Sequence, residues 1–229
     1  VPSLGENAAA GGCFPLIFSD PHSTVLKETY PSISAAELPR TITKDEVNDL
    51  PLIRYEGRIH VIGEAAELAG AVAELRKEGV LGFDTESRPA FRKGESYPPS
   101  LVQLAGSRGV YLFQLKRLGE LGPLWELLGS PDVLKVGVAI RDDIIKLQEI
   151  KPLQEEGFIE LSDITRRLDI ANTGLRSLCA IFLGHRISKG SQVSNWARRD
   201  LTHNQVVYAA TDAWVSLELY RRLEAMELL

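Results

Sequence analysis

At 229 residues, with 44% hydrophobic and 25% charged residues, the chain has the size and composition of one ordinary soluble domain plus an extension. Its apolar stretches are broken by charges or glycines well short of the roughly 20 residues that a membrane span needs. A net charge of -5 argues against a protein that coats duplex nucleic acid through a broad basic surface, and leaves room only for a small basic rim.

Residues 1–45 are rich in Gly, Pro, Ser and Ala without periodicity and read as an extended arm or linker, with residues 14–18 apolar enough to pack on the remainder. Residues 46–229 read as one folded domain. A short strand is expected around Ile59, Val61 and Ile62, followed by a helix over 64–78 that Gly79 ends. Strands are expected at 80–86, 101–105 and 110–113, the last two paired as a hairpin across a Gly-Ser-Arg-Gly turn. The intervening loop, 87–100, carries Pro89, Pro98 and Pro99.

A helix at 118–128 and an apolar strand at 133–138 come next, then a helix containing Asp143, Lys146 and Leu147, and a strand-helix unit over 158–168. Short alternating elements of this kind predict parallel strands joined by right-handed crossovers. The last third is helical: 174–183, a loop at 184–194, and a long helix over 202–226 that Thr202 and Gln205 start with a capping box. Cys13 and Cys179 lack metal-ligand spacing, and Cys179 lies in an amphipathic pattern, so a buried thiol and a reducing, cytoplasmic compartment are expected. No basic, apolar leader precedes Cys13, so a lipid anchor there is not expected.

Three acidic clusters stand out. Asp84 and Glu86 alternate along a strand and so share a face; Asp143 sits in an Arg-Asp-Asp run; Tyr208 and Asp212 lie one turn apart on one helix face. Singly, an Asp at a strand end is a cap and a Tyr on an amphipathic helix is core. Jointly, four carboxylates brought together repel one another unless cations sit between them. A donor set of carboxylates without His or Cys suits Mg or Mn rather than Zn. Two such ions about 3.5 to 4 Å apart can activate water and stabilise a phosphodiester undergoing hydrolysis.

The order of these clusters, with Phe-Asp-Thr-Glu at 83–86, Ser-Leu-Val-Gln-Leu at 100–104, Ser-Asn-Trp at 194–196 and Tyr-Ala-Ala-Thr-Asp-Ala at 208–213, resembles the DEDDy 3′-5′ exonucleases. That superfamily contains RNase D, the Werner-type exonuclease domain and polymerase proofreading domains, and the resemblance covers residues 60–226, grouping the chain with the Werner-like and bacterial RNase D-like branch. It implies an α/β, RNase H-like mixed sheet, an antiparallel meander followed by parallel strands and flanked by helices. It also implies that Asp84 bridges two divalent cations, that Glu86 and Asp212 hold the one activating water, and that Asp143 supports the other. Tyr208 would orient the water; with an ordinary pKa of about 10 it is a poor base. The sister subclass carries a His five residues before the final Asp, and that position here is Val207.

Asp142 competes with Asp143 for the middle role, and the Asp-x-x-Lys-Leu spacing favours Asp143. Neighbouring helix residues point about 100° apart, so only one serves. Trp196 reads either as a base-stacking ring or as packing beneath the final helix. The basic and polar rim is expected from Arg88, Arg92, Lys93, Lys189 and Gln192, with Arg141, Arg198 and Arg199 as further candidates. The resulting expectation is an enzyme that cuts mononucleotides from the 3′ end of a single-stranded or frayed DNA or RNA. The alternative is a nucleic-acid-binding or scaffold module with a vestigial site.

Overall fold

The computed structural model describes residues 30, 31, 33–92 and 94–229. The chain builds a six-stranded mixed sheet, β1 (Ile59–Ile62), β2 (Val80–Ser87), β3 (Pro99–Gly106), β4 (Gly109–Gln114), β5 (Leu134–Gly137) and β6 (Phe158–Glu160), in the spatial order β1-β4-β3-β2-β5-β6. The central β2-β3-β4 meander is antiparallel, while β5 pairs β2, β6 pairs β5 and β1 pairs β4 in parallel. This is the mixed, RNase H-like sheet expected from the sequence. The helices are α1 (Lys44–Asp49), α2 (Ala65–Leu75), α3 (Leu115–Leu118), α4 (Gly122–Leu128), α5 (Arg141–Ile150), α6 (Leu161–Arg167), α7 (Leu175–Leu178) and α8 (His203–Ala225).

Strand alternation divides the molecule into two cores. Leu81, Phe83, Val102, Leu104, Tyr111 and Phe113 point to one face and are covered by α2, α4 and α5 through residues such as Val72, Leu128 and Leu147. Leu101, Ala105, Val110 and Leu112 point to the other and are covered by α8 and by Leu178 to Leu183. The strand residues between the apolar ones on this second face, Asp84 and Glu86, are therefore carried underneath α8.

Several local rules decide the element boundaries. The helix expected over 118–128 is two pieces, α3 and α4, because Gly119 takes a left-handed conformation at φ 68° and Pro123 restarts the helix one turn later. Thr202 and Gln205 form the expected box at the start of α8, where the Thr202 side chain accepts from the Gln205 N–H and the Gln205 side chain from Thr202. The strand expected at 133–138 contains a wholly buried Lys135, whose Nζ donates to the carbonyls of Ser130, Val133 and Glu156 at 2.6, 2.8 and 2.9 Å. Burial pulls that lysine down to about 8.

Several described residues of the stretch read as an arm lie against the domain. Tyr30 donates to Glu218 on α8 at 2.5 Å, Arg222 donates to the Pro31 carbonyl, Leu38 is 3% exposed, and the Ile42 N–H donates to Asn172. Residues 14–18 and Cys13 lie outside the described residues; Cys179 is fully buried, and burial pushes its thiol up. Among the described residues, no helix is long and apolar enough to cross a membrane.

Candidate active site

Three carboxylates from two distant parts of the chain meet where α8 crosses β2. The alternation of β2 turns Gly82, Asp84 and Glu86 toward α8, with Asp84 opposite Gln103 and Glu86 opposite Leu101 in the register. At Gly82 the helix comes so close that a Cβ there would stand 1.9 Å from the Ala213 carbonyl oxygen. The missing side chain thus lets α8 settle on the strand one residue from Asp212. One carboxylate oxygen from each of Asp84, Glu86 and Asp212 then lies within 4.8 Å of the others.

Asp143 arrives from the first turn of α5 and accepts a 2.7 Å hydrogen bond from the Thr85 hydroxyl, the residue between Asp84 and Glu86. Its neighbour Asp142 is exposed. The entry to α5 is clamped by Glu160, whose carboxylate accepts from the Ala139 and Ile140 N–H groups at 2.8 and 2.7 Å and from Ser162 N–H at 3.0 Å. Ala139 is held at φ 61°, a left-handed conformation costly for a residue with a Cβ. One side chain thus ties the starts of α5 and α6 together and sets the approach of Asp143.

The electrostatics are those of crowded acids, Asp212 buried and Asp84, Glu86 and Asp143 half-buried. Burial, then the charges of Asp212 and Asp143, raise Asp84 well above the carboxylate range. Glu86 is pushed up to about 10 by burial and by Asp84, Asp212 and Asp143. Burial takes Asp212 to about 7 against the pull of the Tyr208 hydroxyl, and Asp143 to about 6 against the Thr85 hydrogen bond and the charge of Lys146. Tyr208 is raised by burial, then by the charges of Asp212 and Glu86 and by the nearness of its hydroxyl to the Asp212 carboxylate. Among the described residues, no Lys or Arg forms an ion pair with any of the four acids. An all-oxygen donor set with uncompensated charge fits hard divalent cations.

Asp84, Glu86 and Asp212 open on a cavity of about 410 Å³ that Lys189, Gln192 and Tyr208 also line, together with Arg176 and Ser177, which the sequence reading did not single out; Asp143 is not part of its wall. A second cavity of about 350 Å³ shares Tyr208 and Asp212 and runs toward Leu52, Arg54 and His203. None of the other described rim candidates lines this cavity. Arg88 sits over the Tyr97 ring at 5.0 Å, Arg92 pairs with Glu95 at 3.9 Å, Arg141 pairs with Asp163, and Lys93 is outside the described residues. Trp196 is 1% exposed and packs behind Tyr208 with ring centroids 5.9 Å apart, so it supports the tyrosine and offers no open face to a base. Gln205, while capping α8, also donates to Ser194 Oγ and the Asn195 carbonyl, which fastens the Ser-Asn-Trp segment to the helix carrying Tyr208.

The sequence model of the family described as 3′-5′ exonuclease matches residues 59–227. The mouse protein named bifunctional 3′-5′ exonuclease/ATP-dependent helicase WRN is 29% identical over 219 residues, covering 88% of this chain and 16% of that protein. Ribonuclease D of Haemophilus influenzae is 31% identical over 153 residues, 65% of this chain and 37% of the relative. The chain thus spans well under half the length of either curated relative. In fold it is similar to the Aedes aegypti Nibbler EXO domain, with a TM-score of 0.69 at 24% identity over 76% of this chain and 92% of that one.

Proposed function

The chain belongs to the 3′-5′ exonuclease family, and from that premise we propose that it hydrolyses the terminal phosphodiester at the 3′ end of a single-stranded or frayed nucleic acid. Nucleoside monophosphates are released, and Asp84, Glu86, Asp143 and Asp212 hold two divalent cations, Mg or Mn. The observation that carries this reading is the meeting of Asp84, Glu86 and Asp212 within 4.8 Å, with Asp143 one hydrogen bond away through Thr85. Bound cations supply activation of water and neutralisation of the charge that builds at phosphorus.

The chain's own groups then have separable tasks. Asp84 is central, because its charge acts on Glu86 and those of Asp212 and Asp143 act on it. Tyr208, raised by burial and by the acids beside it, stays protonated, which makes it a group that orients the attacking water rather than a base that deprotonates it. The two cavities that meet at Tyr208 and Asp212 give room for the terminal nucleotide and its neighbour, and Lys189 and Gln192 face the strand. A vestigial binding module would not keep four mutually repelling acids crowded together.

The test uses matched DNA and RNA oligonucleotides labelled at the 5′ end, with Mg or Mn. A ladder shortening from the 3′ end is expected, abolished by chelator and by Asp84→Asn. Intact strands with either metal would overturn the proposal.

A further inference from the structure

We propose that a second, basic cleft, separate from the acids, holds the sugar-phosphate backbone of the strand whose 3′ end is being cut. This rests on the reading of the chain as an enzyme acting on nucleic-acid strands. The cleft has a volume of about 410 Å³ and is lined by Lys116, Arg117, Arg198 and Arg199, against a single acid, Glu64, with Trp196 also in its wall. In a chain of net charge -5, four cations around one cleft are a local reversal of sign, the electrostatic footprint of a phosphate ligand.

The cleft is a built one. Gln114, 5% exposed at the end of β4, donates its amide to the Arg199 carbonyl at 2.9 Å and so fixes the loop that carries Arg198 and Arg199. The same side chain accepts from Arg117 at 3.1 Å, and Arg117 also pairs with Glu64. Arg117 lies over Gly63, where a Cβ would stand 2.9 Å from the guanidinium carbon. Among the described residues, Lys116, Arg198 and Arg199 pair with no carboxylate, so their charges are available. The indole N–H of Trp196 is buried without a hydrogen-bond partner.

Position ties the cleft to the acids. Glu86 is opposite Leu101, and Leu101 is opposite Gln114, so Gln114 stands on the same rung and the same sheet face as Glu86, two strands away. That is about 10 Å. Trp196 spans the same gap from above, lining the cleft while packing behind Tyr208. A strand with its 3′ end at the acids thus has a run of cations within short reach, and three pairing with phosphates would release their counterions on binding.

The experiment measures affinity for a labelled single strand by fluorescence anisotropy, in Ca²⁺ to suppress turnover, across a salt series and a length series. Substituting Lys116→Ala, Arg198→Ala and Arg199→Ala together should weaken binding of a long strand about 10- to 100-fold. The log-log salt slope should become shallower by about 2, near 0.7 per lost contact. The loss should shrink as the strand is cut down to a dinucleotide, and Arg198→Lys with Arg199→Lys should keep the slope. An unchanged slope and affinity in the triple variant would overturn the cleft, and would leave an acidic protein surface as its occupant. Because the readout is binding, it stands apart from catalysis: wild-type protein that binds but never cleaves would contradict the proposed activity while still testing the cleft.

Discussion

Gly82→Ala places a single methyl group where the architecture depends on none being present. The added carbon would stand 1.9 Å from the Ala213 carbonyl oxygen, against 3.4–4 Å for an ordinary contact, and 2.9 Å from the Leu217 N. Both obstacles are backbone, so no rotamer change relieves them, and β2 and α8 have to part by about 1.5 Å. Overpacking of this kind costs about 1 to 3 kcal/mol. Because Tyr208 and Asp212 ride on α8 while Asp84 and Glu86 stay on β2, the separation opens the acid cluster directly, and a misplacement of about 1 Å lowers turnover on the order of 100-fold. Urea unfolding and turnover of an end-labelled oligonucleotide, measured on the same preparation, check both figures. Gly70→Ala is the control, since Gly70 lies in the middle of α2 with nothing within 4 Å of the new Cβ; it should leave turnover unchanged and stabilise by about 0.5 to 1 kcal/mol. Wild-type stability and turnover in Gly82→Ala would refute the claim that helix-strand contact at this point sets the site.

Tyr208→Phe keeps the ring against Trp196 and removes only the hydroxyl; kcat should fall about 10- to 100-fold with KM nearly unchanged, read from steady-state degradation of a labelled strand. Glu160→Gln replaces an acceptor facing three N–H groups with a side chain that also donates; loosening the approach of Asp143 should cost about tenfold in turnover and about 1 kcal/mol in urea unfolding. Asp143 and Asp212 rise from ordinary values of 3.8 to about 6 and about 7, and Glu86 to about 10, so the folded, metal-free chain binds more protons than the unfolded one across this range. Stability is therefore lost as pH rises through those values. Without metal the melting temperature should drop from pH 5 to pH 8, and added Mg should raise it more at pH 8; a larger effect of Mg at pH 5 would contradict this.

Much of the architecture could be read from local rules. The shared face of Asp84 and Glu86 follows from strand alternation, and that of Tyr208 and Asp212 from one helical turn. Thr202 and Gln205 announce the start of α8, and the turn-rich 106–109 segment announces the hairpin. What escaped depends on long-range partners. Nothing around Ile59 specifies that β1 docks beside β4 in parallel, because that pairing is made across the intervening strands. Lys135 is a charge inside an otherwise apolar strand, and nothing local announces the three carbonyls that close around it. Arg88 and Arg92 follow the first motif closely in sequence, yet turn to Tyr97 and Glu95 of their own loop instead of the acids. Glu160 carries no motif; a hint lay only in an acid immediately preceding a helix start, which by itself reads as no more than a local cap.

The claim underlying all of this is that Asp84, Glu86, Asp143 and Asp212 form one cation-binding centre. Counting bound Mn by electron paramagnetic resonance tests it without any substrate. Wild-type protein should take up two ions per chain, and Asp84→Asn, which removes the acid whose charge acts on Glu86 and on which those of Asp212 and Asp143 act, should lose both or retain one weakly. Uptake by Asp84→Asn equal to wild type, or no uptake by either protein at millimolar Mn, would contradict the account.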